Sequence, residues 1–83
     1  MKAYYITFST PWEVFVEYDG YLLSLCEALS GLHFIESFRV KEKTGEMEEV
    51  RFSFRFEDKD NRDACYTVLK ELGFPIDNLK KVR

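Results

Sequence analysis

The chain has 83 residues, 46% of them hydrophobic and 17% aromatic, with a formal net charge of −3 at pH 7. That length allows one domain, spanning residues 1–83, and a modest core of the kind that often leans on a partner or on self-association. The apolar content excludes a disordered chain, and the absence of a basic excess excludes general affinity for nucleic acid or anionic membrane, leaving at most a local basic patch.

The first elements are read from residue type. Ala3 to Phe8 is rich in aromatic and β-branched residues and predicts a strand. Thr10-Pro11-Trp12-Glu13 has the form of a capping box, with Thr10 at N-cap, Pro11 at N1 and Glu13 at N3, which would start a helix at Pro11. Trp12 to Tyr18 also alternates in the manner of a strand, and Asp19-Gly20 would break either element. A helix start at Pro11 is the more economical reading, since it leaves one strand before one helix.

From Tyr21 the period is helical, with Leu22, Leu25, Cys26 and Leu29 on one stripe. Gly31 stands where a left-handed residue ends a helix, followed by Leu32 as the apolar contact. His33 to Lys41 predicts a strand with Phe34, Phe38 and Val40 facing in and Ser37, Arg39 and Lys41 facing out. Lys43 to Glu46 is a turn in which Gly45 supplies a positive φ, and Glu46, Glu48 and Glu49 form a solvated acidic cluster beside it.

Val50 to Phe56 alternates strictly over its whole length. Val50, Phe52, Phe54 and Phe56 take one face, and Arg51, Ser53 and Arg55 the other. After it, Asp60 is the expected cap of a second helix, with Asp63 in its first turn and Cys65, Val68, Leu69 and Leu72 as its buried stripe. Gly73-Phe74 repeats the terminator of Gly31-Leu32, Pro75 forbids continuation, and Ile76 to Val82 reads as a charged edge strand.

The order is β-α-β-β-α-β, which points to an α+β ferredoxin-like sandwich with two helices on one face of an antiparallel sheet. In strand order 4-1-3-2 the strand at 50–56 is central, its phenylalanines meeting the helices. The opposite face is then open and should carry Tyr5 and Thr7, Arg39 and Lys41, and Arg51, Ser53 and Arg55. Such a face suits a protein partner or a second copy of the chain, and four cations around an aromatic also suit single-stranded nucleic acid. Tyr18, Tyr21 and Trp12 are further aromatic candidates for an interface, or for the core.

Catalytic chemistry finds no constellation in the sequence. His33 is the single histidine, and no serine has a recognisable base beside it. Cys26 and Cys65 have no metal-like spacing and read as small buried apolar residues on helices; their pairing stays open. There is no metal cluster and no phosphate-cradling glycine loop, so no cofactor is expected. The segment Met1 to Tyr4 lacks the apolar run of a signal peptide and no stretch has the length of a membrane span, so a cytoplasmic protein without membrane contact is expected.

Residues Ile35 to Leu72 resemble the second half of an RNA-recognition motif: a Lys-Thr-Gly-Glu turn at 43–46, a Phe-rich strand ending Phe56-Glu57-Asp58, and a helix containing Asp63-Ala64. Where that family has its two exposed stacking aromatics this chain has Arg51 and Ser53, and its basic-glycine pair is replaced by Glu49-Val50. Tyr5 matches an exposed aromatic of the first-strand motif. Residues Val14 to Phe74 are also similar to ACT domains, small regulatory modules that bind amino acids at dimer interfaces, through Val14 to Leu23. That resemblance implies a strand at 12–18 and a ligand loop shaped by Glu17, Asp19 and Gly20, with Asp19 where the family often has proline. The leading expectation is a small non-enzymatic binding module acting through its open sheet face. The alternatives are an ACT-like sensor and a single-stranded nucleic-acid binder.

Overall fold

The computed structural model describes residues 2–73 and 75–82. Among the described residues six elements follow one another: β1 (Tyr4–Pro11), α1 (Trp12–Ala28), β2 (Leu32–Val40), β3 (Met47–Phe56), α2 (Lys59–Glu71) and β4 (Asp77–Val82). The strands form one antiparallel sheet in the order β2-β3-β1-β4, the ferredoxin-like arrangement, with β3 and β1 central and β2 and β4 at the edges.

The alternation of β3 sets the layers. Val50, Phe52, Phe54 and Phe56 are buried with Ile6 and Phe8 of β1, Leu22 and Cys26 of α1, and Cys65 and Leu69 of α2. Phe8 stacks on Phe52 at 5.4 Å and meets Phe54 edge-on at 5.2 Å, while Phe15 of α1 reaches Phe52 at 5.0 Å. These ring contacts identify the helix-covered face and add to the free energy of area burial. Both cysteines are buried and free, as small apolar residues would be.

The first helix departs from expectation at both ends and in its middle. β1 runs on to Pro11, so Thr10 is a strand residue and not an N-cap. Thr10 is fully buried and its hydroxyl donates to the Pro75 carbonyl at 3.0 Å, tying β1 to the segment before β4. Pro11 precedes the helix in an extended conformation, with no side-chain cap. The strand reading of 12–18 does not hold, and Asp19-Gly20 does not interrupt α1. A glycine inside a helix costs about 1 kcal/mol, which the packing of partly buried Trp12 and Phe15 before it and of buried Leu22 and Cys26 after it outweighs.

At the end of α1, Ser30 takes the left-handed conformation (φ 62°), the place expected for Gly31. The Gly31 amide donates to Cys26 O at 2.9 Å and the Ser30 amide to Glu27 O at 3.0 Å, a paired closure of the last carbonyls. Gly31 is required for space: a Cβ there would lie 2.5 Å from Phe56 Cε1 and 2.7 Å from Cys26 Sγ. At Gly45 and Gly73 the positive φ is found where it was expected. Phe74 lies outside the described residues.

In α2 the cap is Asp58, whose Oδ1 accepts from the amides of Asp60 at 2.7 Å and Asn61 at 3.4 Å; Asp60 is in the first turn and Asp63 lies beyond it. The hairpin also differs from the reading of β2. β3 starts at Met47, so Glu48 and Glu49 are strand residues facing Arg39 and not part of a free turn. Phe34 pairs with Ser53 and therefore lies on the open face, while Phe38 and Val40 are about half-exposed. A bulge at Glu36 shifts the phase of β2 between these residues.

Candidate interaction face

The register assembles the face opposite the helices as three rows. Leu32, Arg55, Tyr5 and Val82 are successive cross-strand neighbours through all four strands. Phe34, Ser53, Thr7 and Lys80 make the next row, and Ser37, Arg51, Ser9 and Asp77 the third. In a sheet such opposite residues share a face and touch. The central hydroxyl residues Thr7, Ser9 and Ser53 are short and sink between their longer neighbours, so they are buried although no helix covers them. Thr7 Oγ1 has no hydrogen-bond partner among the described residues.

The cations anticipated on this face differ in how far they are neutralised. Arg51 Nε lies 3.3 Å from Glu36 Oε2, and its Nη1 donates to Ser9 Oγ at 3.4 Å. Arg39 faces Glu49 at 3.4 Å and Glu48 at 3.9 Å. Lys41 lies past the end of β2, in the turn, with Glu46 at 4.0 Å. Among the described residues Arg55 makes no ion pair, and it stands between Leu32 and Tyr5. The register thus brings together Tyr5, Ser53, Arg51 and Arg55, places Arg39 at one end, and leaves Lys41 outside. Phe34 and Leu32 join the face unannounced; the bulge that put them there has no signature in the local sequence.

Glu17, Asp19 and Gly20 lie inside α1, so the loop that an ACT-like ligand site needs between strand and helix is not formed. His33 is in β2 and half-buried, with Nε2 3.3 Å from Glu27 Oε2. Burial pushes the thiols of Cys26 and Cys65 up to about 12. Arg62, which carries no local sequence signal, is buried on the helix side. It holds Asp63 at 2.7 Å, donates to the carbonyls of Tyr5 and Val82, and covers the Tyr4 ring at 5.4 Å. Its hydrogen bond holds the Asp63 carboxyl below the usual carboxylate range. No helix among the described residues is long and apolar enough to cross a membrane.

No family model matches the chain, and no curated protein does. Solved structures do. A de novo designed protein, Foldit4, matches with TM-score 0.67 at 13% identity over 99% of this chain and 98% of its own. A PII-like signalling protein from Thermus thermophilus matches with TM-score 0.68 at 12% identity, covering 99% of this chain and 90% of the other. A ribosomal protein of the 30S subunit from Thermotoga maritima matches with TM-score 0.51 at 17% identity, covering 99% and 86%. At these identities the likeness shows the ferredoxin-like fold and nothing of the chemistry.

Proposed function

We propose that this protein is a non-enzymatic binding module that docks a protein partner on the open face of its sheet. The observation that carries the reading is the row Leu32–Arg55–Tyr5–Val82, an apolar–cation–aromatic–apolar band across all four strands. Its arginine is without an ion pair among the described residues, and Phe34 extends the apolar part. Aromatic and arginine anchors of this kind carry most of the free energy at protein interfaces.

The test compares proteins retained by the immobilised chain with those retained by Tyr5→Ala, Arg55→Glu and, on the exposed side of α1, Val16→Lys. Docking on the open face loses a partner with the first two substitutions and keeps it with the third. A partner retained by all three variants places the interface elsewhere. Retention of a single-stranded oligonucleotide that falls steeply with salt and disappears in Arg55→Glu replaces the reading with nucleic-acid binding.

A further inference from the structure

The two edges of the sheet are built differently. β4 has six residues and carries the adjacent Lys80 and Lys81. Shortness and charge of this kind protect an edge from further pairing. β2 has nine residues and ends the sheet on the other side. Leu32, Phe34, Ile35, Phe38 and Val40 are each 47–59% exposed. A long apolar strand with a free edge is a template for another strand.

We propose that β2 pairs antiparallel with β2 of a second copy, joining two sheets into one of eight strands. The occupant follows from self-complementarity. Leu32, Phe34 and Ser37 lie on the open side with their β3 partners Arg55, Ser53 and Arg51. Glu36 joins them, as its ion pair with Arg51 requires, and Arg39 is opposite Glu49. His33, Ile35 and Phe38 lie on the helix side, opposite Phe54, Phe52 and Val50. The bulge therefore changes the phase of β2 at its middle. Regular strands pair like faces across a two-fold axis only when a residue opposes its own copy, and here that axis would set Glu36 against the partner's Glu36. The phase change instead favours an axis between Glu36 and Ser37.

In that register Ile35 meets the partner's Phe38, Phe34 meets the partner's Arg39, and Glu36 meets the partner's Ser37. Each contact occurs twice, and like faces stay together from His33 to Val40. Apolar pairs form on the helix side, and cation–aromatic pairs form on the open side. The seam lies along the β2 edge and borders the docking band at Leu32 and Phe34, while Arg55, Tyr5 and Val82 stay outside it. It shares with the proposed function the idea that the chain works by association, and Arg55 is the residue that separates the two.

The test is the molar mass of the full chain by light scattering over a concentration series, for wild type, Ile35→Lys, Phe38→Glu, Val82→Lys and Arg55→Glu. Ile35 and Phe38 are half-exposed, so their variants keep the fold, which circular dichroism checks. Wild type, Val82→Lys and Arg55→Glu are expected to dimerise. Ile35→Lys and Phe38→Glu are each expected to weaken the dimer by about tenfold or more. An equimolar mixture of those two variants should recover it. In the mixed dimer one of the two contacts sets the introduced lysine against the introduced glutamate, while the other keeps Ile35 against Phe38. A wild type that stays monomeric overturns the proposal, as does a dimer indifferent to both variants, or a mixture that does not recover. A dimer lost only in Arg55→Glu moves self-association to the open face; partner docking lost in Arg55→Glu with the dimer intact keeps the two surfaces apart.

Discussion

Phe38 and Val50 are directly opposed across the β2–β3 ladder on the helix side, yet Val50 is 0% exposed and Phe38 59%. The helices close over β3 and stop short of that end of β2. Val50→Ala is therefore expected to destabilise the fold by about 2–3 kcal/mol. Phe38→Ala, measured on monomer at low concentration, should cost under about 1 kcal/mol. Urea unfolding of both variants checks this, and equal losses would mean that Phe38 is covered in the folded chain.

Two glycines with different roles should respond oppositely to alanine. Gly20 lies inside α1, and a methyl group added there would meet no atom within 4 Å, so Gly20→Ala should raise stability by about 0.5–1 kcal/mol. Gly31 abuts Phe56 and Cys26, so Gly31→Ala should lower it by about 1–3 kcal/mol through overpacking. Thermal melts of the two variants give the signs.

Arg62 should be the costliest polar residue to remove, because it bonds carbonyls of both β1 and β4 from a buried position. Arg62→Ala is expected to lose about 1–3 kcal/mol in denaturant unfolding. Its hydrogen bond lowers the folded pKa of Asp63 below the ordinary 3.8. The stability from that ionised carboxylate is present above the unfolded pKa and is lost as pH falls through the folded one. Asp63→Asn should flatten the decline of stability below about pH 4.

The thiols of Cys26 and Cys65, raised to about 12 by burial, should be inert to alkylation in the native protein at pH 8 and react fully once it is unfolded. The sign for stability is opposite to that of Asp63. Above the ordinary thiol value of 9.0 the unfolded chain releases protons that the folded chain retains, so stability falls as pH rises toward 12. Cys26→Ala with Cys65→Ala should remove that alkaline decline, read from melting temperature against pH.

Strict alternation in Val50–Phe56, the helical stripe of α2 and the positive-φ glycines Gly45 and Gly73 were enough to establish the hairpin, the second helix, and the buried face of β3. These are local properties: period, backbone freedom and residue type. They also determined that Tyr5, Ser53, Arg51 and Arg55 share the open face, since a strand's period assigns its faces. Tertiary structure decided the rest. Whether Trp12–Tyr18 coils or extends depended on whether Phe15 and Leu22 could both reach the sheet, which offset the weak helix propensity at Asp19-Gly20. The space needed at Gly31 arises from its contact with Phe56, and the reversal of Phe34 from the bulge opposite Arg51. Those partners are distant in sequence, and only the folded sheet brings them together.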